Sequence, residues 1–307
     1  MSVPSVEKRP WSGFAIVTLA YVAGLVVAAG VLKAVPVEWH PLVKVALADV
    51  AATVAVFIFS VANDNSSFYD PYWSLAPVAI AAWLALGPGA AHGIELRQLV
   101  VVTLITIYGA RLTYNWARGW AGLRHEDWRY VDFRSKTGKL YWPFSFAALH
   151  FFPTVMVLLG CVPLQAALVD AGPAFGALDV LAAVVTLVAI AIETIADEQL
   201  RGFRQSKRAD GDICNVGLWS WSRHPNYFGE ISFWVGLWLF GVAAGAPWWA
   251  AVGWVAMVAL FVGASIPMAE KRSVARRPHY ADHQRRVSML IPMPPRREAV
   301  GAQNSNS

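Results

Sequence analysis

The sequence predicts an all-α polytopic membrane protein with about eight spanning helices. Of its 307 residues, 57% are hydrophobic and 15% are charged, and the mean hydropathy is +0.45. Apolar runs close to the ~20 residues that cross a bilayer recur along the chain. Fifteen tryptophans and nine tyrosines suit anchoring at the two membrane–water interfaces. Together these features exclude an ordinary soluble domain.

Eight apolar runs give the expected spans. The third is short and is broken by Gly87-Pro88-Gly89, which leaves counts of seven and nine open. Lys and Arg concentrate before span one and after spans four, six and eight, so both termini are predicted to be cytoplasmic. The expected spans are residues 12–32, 43–62, 75–91, 96–114, 142–165, 177–200, 226–245 and 248–266.

Charge and cysteine content limit the possible partners. The net charge of +5 arises from basic membrane loops, so no nucleic-acid partner is predicted. Cys161 lies in an apolar run and Cys214 lies in a polar loop. This placement predicts neither a disulfide nor a metal site.

The most informative stretch is the signature segment, residues 215–241, which reads NVGLWSWSRHPNYFGEISFWVGLWLFG. Pro225 suits the first turn of a helix, where its missing N–H costs nothing. Glu230 then lies inside an apolar helix, and a carboxylate at membrane depth marks a functional site by default. Asn226 lies four residues before Glu230 and shares its helix face.

An Arg-His pair, Arg223 and His224, immediately precedes this helix. A helix N-terminus beside cationic side chains is suited to binding an anion. An ordinary amphipathic helix start with headgroup contacts would also explain the pair. It would not explain Asn226 and Glu230, which lie further inside the helix.

Segment 63–77, NDNSSFYDPYWSLAP, places Asp70 where span three begins. An ordinary N-cap region explains this equally well, because Asp and Ser are good caps and Pro is a good first residue. Segment 108–119, YGARLTYNWARG, is harder to explain structurally. Its polar residues recur at three- and four-residue steps and form one helical stripe that favours a cavity over lipid. The stripe comprises Tyr108, Arg111, Asn115 and Arg118.

A further polar stripe lies in 193–204, ETIADEQLRGFR, where Glu193, Asp197 and Arg201 follow at four-residue steps and Arg204 comes one turn later. Such pairs normally form a solvated face and contribute only ~0.2–0.5 kcal/mol each. Glu193, however, still lies inside an apolar run. A polar groove between spans is therefore the better interpretation.

Together, these segments resemble the steroid 5α-reductases. The block SRHPNYFGEISFWVG resembles the C-terminal signature shared by membrane steroid and sterol reductases and by isoprenylcysteine-type methyltransferases. The Asp70–Pro77 spacing and the Tyr108…Gly119 pattern match the reductases, and Glu193 stands where the family has Asn. With RGWAGLRHEDWRY at 118–130, the chain is identified as a member of the bacterial, uncharacterised, DUF1295-like branch.

The resemblance implies an oxidoreductase that uses NADPH to reduce an activated C=C bond of a lipid enone, such as a 3-oxo-Δ4-steroid. Its catalytic residues would be Tyr108, Asp70 and Glu230. The substrate would enter from the membrane, and the protein would be a monomer of the bacterial inner membrane whose cofactor site faces the cytoplasm. Cofactor contacts would come from Arg111, Arg118, Glu193, Asp197, Arg201, Arg204, Arg223, His224, Asn226, Tyr227, Glu230, Arg272 and Tyr280.

One membrane domain is predicted over residues 1–307. It comprises an extra N-terminal helix at 1–33, a reductase-like core at 63–291 and a disordered tail at 296–307. Two other classes of function stay open. A membrane methyltransferase that uses S-adenosylmethionine on a lipid or thiol would share the signature, but its cofactor has no phosphates and needs fewer arginines. A non-enzymatic scaffold would gain nothing from the charges inside spans six and seven.

Overall fold

The protein is built from α-helices. The computed structural model describes residues 10–87, 95–170, 172–206, 209 and 211–296, and these residues contain no β-strand. The thirteen α-helices of this part of the chain are α1 (Pro10–Ala34), α2 (Pro41–Ala62), α3 (Tyr72–Leu86), α4 (Leu96–Gly119), α5 (Trp128–Thr137), α6 (Tyr141–Phe144), α7 (Phe152–Cys161), α8 (Leu164–Leu168), α9 (Ala177–Gln205), α10 (Pro225–Ala243), α11 (Val252–Leu260), α12 (Ile266–Arg276) and α13 (Tyr280–Arg286).

Six stretches of the described residues are helical, long and apolar enough to cross a membrane. The predicted all-α polytopic class is therefore confirmed, whereas the span count and the cytoplasmic termini stay predictions. Two predicted spans correspond to the shorter helices α3 and α10. The predicted tail from 297 onward and the Pro88-Gly89 break lie outside the described residues. The six stretches are Trp11–Ala34, Pro41–Ala62, Leu96–Gly119, Trp128–Cys161, Ala177–Gln205 and Trp248–Arg276.

Prolines set where helices start and where they widen. Pro41 and Pro225 each occupy the first position of a long helix, as predicted for Pro225. The predicted span 142–165 contains wide π-helical turns at Ser145–Phe151, which end two residues before Pro153. Proline cannot donate a backbone hydrogen bond and its ring crowds the carbonyl four residues earlier, so the preceding turn widens.

The chain forms two compact units. Unit 1 comprises Met1–Ala183 and Leu237–Ala256, and unit 2 comprises Val184–Gly236 and Met257–Ser307. A buried ion pair joins α4 and α9 within unit 1: Arg97 Nε lies 2.6 Å from Asp179 Oδ1 and Nη2 lies 2.9 Å from Oδ2. Because a buried charge is tolerated only when it is paired, this bidentate contact fixes the starts of both helices.

The interior of unit 1 contains hydroxyl groups as well as apolar side chains. The Thr154 hydroxyl lies 2.6 Å from both the Thr53 hydroxyl and the Tyr69 hydroxyl. Nearby, His150 Nε2 lies 3.0 Å from the hydroxyl of Ser60. All five side chains are buried, and their mutual hydrogen bonds offset the cost of removing them from water.

In unit 2, α9 and α10 pack as an antiparallel pair through glycines. A Cβ on Gly229 would lie 2.8 Å from Glu193 Cβ and 2.9 Å from Ala189 O, and a Cβ on Gly236 would overlap Thr186. Toward the C-terminal end of α9 and at the start of α10, Asn226 Nδ2 lies 3.4 Å from Asp197 Oδ1. Small residues allow helices to approach closely in membranes. The glycines therefore fix which residues of the two helices face each other.

We expect Gly229→Ala to destabilise the protein by about 1–3 kcal/mol, because two of the three atoms nearest the new methyl group belong to the α9 backbone and cannot rotate away. Gly202→Ala on α9 is the matched control, since its methyl group would meet no described atom within 4 Å. That variant should be unchanged or more stable by ~0.4–1 kcal/mol. Thermal unfolding in detergent measures both. Equal stability of the two variants would contradict the helix pairing.

Candidate functional site

Two segments that the sequence analysis singled out meet in unit 1. The side-chain amide of Asn65 donates to the Leu123 carbonyl at 2.6 Å. The Ser66 N–H donates to Glu126 Oε1 at 2.8 Å, and this carboxylate also pairs with Arg134. The RGWAGLRHEDWRY segment is thus tied to the loop that carries Asp70.

Asp70 lies after α2 and immediately before α3, where its Oδ1 accepts a 2.6 Å hydrogen bond from the Tyr130 hydroxyl. Burial raises the pKa of Asp70 to about 6, although the Tyr130 hydrogen bond and the Arg129 charge lower it. A side-chain hydrogen bond from Ser67 also lowers the pKa of Asp70. Asp70 is therefore suited to donate a hydrogen bond when protonated.

Tyr108 lies on α4 and is fully buried. The Arg111 guanidinium lies 5.9 Å from the centre of its ring, within the range of a cation–π contact. The next residue, Gly109, packs so closely on the Ser74 carbonyl of α3 that a side chain would not fit, and the Ser74 hydroxyl lies 2.8 Å from that of Thr113. These contacts fix the position of Tyr108 along α4.

The rest of the α4 stripe is held by local contacts. Arg118 Nη2 donates to Asn115 Oδ1 at 3.0 Å, and the Arg118 guanidinium lies 5.1 Å from the Tyr114 ring centre. The α4 helix over 96–119 therefore carries the predicted stripe on a single element.

In unit 2 the acidic residues of α9 and the polar residues of α10 lie on the paired helices. Glu193 and Glu230 are 5% and 8% exposed. Glu230 Oε1 accepts a 2.9 Å hydrogen bond from the Trp234 indole N–H. With the Asp197–Asn226 contact, the helix pair contains three carboxylates and an amide, and polar groups of this kind are rare in membrane helices and mark functional sites by default.

The signature segment begins by folding back on α9. Gly217 has a positive φ of 54°, and any side chain there would overlap Gln199. Gln199 Oε1 accepts from the Leu218 N–H at 2.9 Å, and the Trp219 indole N–H donates to the Ala196 carbonyl at 2.8 Å. The Gly-Leu-Trp start of the segment is thus fixed by α9.

Arg223 is held by residues near the C-terminus. Its Nε lies 2.6 Å from Glu270 Oε1, and its Nη1 donates to the carbonyls of Gln284 at 2.9 Å and Val287 at 2.6 Å. We call Arg223, Glu270, Gln284 and Val287 the Arg223 cluster. The phosphate contact predicted for Arg223 stays a prediction, and the cluster gives this side chain a structural role as well.

Other predicted cofactor residues lie around the Arg223 cluster. His224 Nε2 lies 3.3 Å from Glu270 Oε1, and its ring stacks on Tyr227 with centroids 5.3 Å apart. Tyr280 is buried, and Arg272 is half-buried on α12. Arg201 is half-buried and Arg204 is exposed at the end of α9.

A basic cavity of about 790 Å³ also lies in unit 2. Its lining is rich in cationic or potentially cationic side chains, and one carboxylate, Asp282, pairs with Arg285. Burial and the neighbouring Arg223 and Arg286 charges lower the pKa of His283, so that ring tends to be neutral. The basic lining residues are His279, His283, Arg285, Arg286 and Arg296.

Comparison with known proteins identifies the family. The family described as protein of unknown function (DUF1295) matches residues 56–287. The chain belongs to this family, which is steroid 5α-reductase-like. An uncharacterized protein of Schizosaccharomyces pombe is 29% identical over 257 residues, covering 76% of this chain and 74% of the yeast protein. No solved structure matches the chain.

The predicted family is thereby confirmed. The DUF1295 match contains Asp70, Tyr108, and the α9 and signature segments. It leaves α1 and most of α2 outside, and the division into an extra N-terminal helix and a reductase-like core stays a prediction. The bacterial branch and the individual site residues stay predictions.

The sequence analysis did not identify three residues that contact the predicted site residues. Tyr130 binds Asp70, Glu270 pairs with Arg223, and Trp234 donates to Glu230. Trp234 was detectable, since it lies one helical turn after Glu230. Tyr130 and Glu270 lie 60 and 47 residues from their partners, so no local pattern points to them.

Proposed function

We propose that the protein uses NADPH to reduce an activated C=C bond of a membrane lipid enone, with 3-oxo-Δ4-steroids as one candidate class. The observation that carries this proposal is the α9–α10 pair of unit 2. There the buried Glu193 packs against Gly229 of α10, and the half-buried Asp197 contacts Asn226, so two segments singled out independently come together. The family membership supports the same chemistry.

The α9–α10 surface fits the amide and hydroxyl groups of a nicotinamide nucleoside. Asn226 Oδ1 is buried and has no hydrogen-bond partner in the part of the chain that the structure describes. An amide donor of a ligand would satisfy it, and the Asp197 and Glu230 carboxylates could accept from ribose or amide donors. When bound, NADPH would supply the hydride.

The phosphates of the cofactor would need cationic partners. Arg201 and Arg204 extend from the last turns of α9, and the basic cavity near α13 adds further arginines. Guanidinium groups bind phosphate through paired N–H donors. This excess of arginine supports a phosphate-bearing cofactor over S-adenosylmethionine.

Tyr108 and Asp70 take the substrate side of the reaction. When a hydride reaches the β carbon of an enone, negative charge develops on the carbonyl oxygen. The Tyr108 hydroxyl donates to that oxygen, and protonated Asp70 is the second donor. Tyr130 orients the Asp70 carboxyl through its 2.6 Å hydrogen bond.

We further propose that the protein is a monomer of a bacterial inner membrane whose cofactor site faces the cytoplasm. The basic segments after α4 and α9 and at the C-terminal end support this orientation. NADPH is a cytoplasmic reductant, and the arginines proposed to bind it lie in these segments.

Cofactor binding to the purified full-length chain tests the proposal. We expect nicotinamide fluorescence to report saturable NADPH binding at micromolar concentration or below, and no saturable binding of S-adenosylmethionine. Arg201→Gln should weaken NADPH binding. Lys136→Gln, an exposed basic residue of α5 paired with Asp132, is the matched control. Saturable S-adenosylmethionine binding without an NADPH signal would overturn the reductase assignment.

We expect turnover to fall as pH rises through about 6, because only protonated Asp70 donates a hydrogen bond. Tyr130→Phe removes a hydrogen bond that lowers the pKa of Asp70, so the falling limb of the kcat profile should move to higher pH. Tyr141→Phe is the control, because that hydroxyl binds Ser66 instead. A limb that stays in place or moves to lower pH in Tyr130→Phe would refute the role of Asp70.

A further inference from the structure

An apolar cavity of about 410 Å³ lies among α1, α2 and α3 of unit 1. It exists because small residues face one another at this point, among them Gly24 and Ala28 on α1, Ala48 and Ala52 on α2, and Ala76 on α3. Its volume lies within the ~300–1,000 Å³ of ordinary ligand pockets. Neither Asp70 nor Tyr108 is among the described residues that line it.

One carboxylate interrupts this apolar lining. Asp49 lies within α2 and is 6% exposed. Its Oδ1 accepts a 2.7 Å hydrogen bond from the Tyr72 hydroxyl, whereas its Oδ2 is buried with no hydrogen-bond partner among the described residues. A buried carboxyl oxygen without a donor is costly, so its retention points to a donor supplied from outside the protein.

The tyrosines that line the cavity do not supply that donor. The Tyr72 hydroxyl is engaged with Asp49 Oδ1 and with the Asp49 carbonyl at 2.9 Å. The Tyr21 hydroxyl donates to the Phe68 carbonyl at 2.8 Å. A tyrosine hydroxyl has one proton to donate, and both protons are therefore committed.

The shape of the cavity indicates an elongated occupant. Its lining runs from Tyr21 to Leu32 on α1 and from Tyr72 to Trp83 on α3, which is about 16 Å along each helix at 1.5 Å per residue. Leu25 lines the cavity and is 56% exposed on α1. Because α1 is an apolar helix that meets lipid, the route into the cavity leads from the bilayer.

We propose that this cavity binds a single-chain lipid alcohol whose hydroxyl donates a hydrogen bond to Asp49 Oδ2. One hydroxyl proton matches one open acceptor, and the chain fills the apolar remainder. A lipid amine fits less well, because an ammonium group has three donors and the remaining lining offers it mainly apolar side chains.

This binding site is independent of the proposed reductase activity. The family match begins at residue 56, so α1 and Asp49 precede it. The cavity is therefore lined by α1 and by α2 residues that mostly precede the family match, and by α3 residues within it. Its test requires neither NADPH nor turnover.

Binding of tritiated 1-dodecanol to the detergent-solubilised full-length chain tests the proposal, with unlabelled 1-dodecanol, its methyl ether and dodecylamine as competitors. The ether keeps the chain but lacks the donor. We expect the alcohol to compete about tenfold better than the ether, as one hydrogen bond to a buried acceptor implies. Dodecylamine should compete less well than the alcohol.

Three variants locate the site. Asp49→Leu should abolish the preference for alcohol over ether. Ala28→Leu should fill the cavity and so weaken the binding of both the alcohol and the ether. Ala29→Leu, on the exposed neighbouring position of α1, is the matched control and should bind as the wild type does. Either of two competition results would overturn the proposal: equal competition by alcohol and ether, or stronger competition by the amine. So would either of two results with the variants: a preserved preference for alcohol in Asp49→Leu, or unchanged binding in Ala28→Leu. The competition arms use the unmodified chain, so they decide the matter even if a variant does not fold.

Discussion

Tyr108→Phe should lower kcat for an enone lipid at least tenfold. Removal of one donor to a developing oxyanion typically costs ~10²–10³-fold in kcat, and the loss should approach that range. The substitution keeps the buried ring and its contact with Arg111, so NADPH affinity and thermal stability should not change. The loss should fall on kcat rather than KM, because the hydroxyl matters most once charge develops on the carbonyl oxygen. Steady-state kinetics with an enone steroid would measure it.

Tyr114→Phe is the matched control for this experiment. Tyr114 lies on the same helix, is 64% exposed and packs against Arg118. Its hydroxyl has no assigned part in the reaction, so turnover should remain unchanged. Normal turnover of Tyr108→Phe together with a loss in Tyr114→Phe would show that the donor has been assigned to the wrong tyrosine.

Glu230→Gln should abolish measurable turnover, with a loss of about 10²-fold or more, while the fold is retained. Glutamine has nearly the same volume and keeps an oxygen that can accept from the Trp234 indole N–H. What is lost is the carboxylate that is proposed to bind the cofactor. Turnover should therefore fall, while the midpoint temperature of thermal unfolding should stay nearly constant.

Glu198→Gln provides the comparison for Glu230. Glu198 is an exposed carboxylate on α9, close in the chain to Asp197 but not part of the proposed site. Its replacement should leave turnover within about twofold of the wild type, as expected for surface positions. A fully active Glu230→Gln enzyme would mean that this carboxylate serves packing alone.

Local sequence patterns predicted the positions of individual helices better than the contacts between helices. The polar spacing from Tyr108 to Arg118 correctly indicated one helix, and Pro225 correctly marked a helix start. Both depend on neighbours within one or two turns. Helical periodicity also located α9 and α10, although their pairing through Gly229 depends on a steric fit between helices that no pattern encodes.

Contacts between distant residues could not be read from the sequence. Arg97 and Asp179 form a buried pair across 82 residues, and each alone resembled an ordinary charge at a helix start. Asp49 drew no attention because a single carboxylate in an apolar run becomes informative only when its partners are known. The sequence therefore allowed a set of candidate residues to be proposed, but not the long-range hydrogen bonds that hold them.

The Arg223 cluster has a consequence for how the protein is made. The residues that surround the Arg223 guanidinium are synthesised 47 to 64 residues after it. At ~5–20 residues per second this corresponds to about 2–13 s of translation. During that interval the cation at the start of α10 lacks the carboxylate and carbonyls that will hold it. The signature segment therefore reaches its final conformation only when the C-terminal segment leaves the ribosome and folds back, which makes this closure a late event of membrane biogenesis.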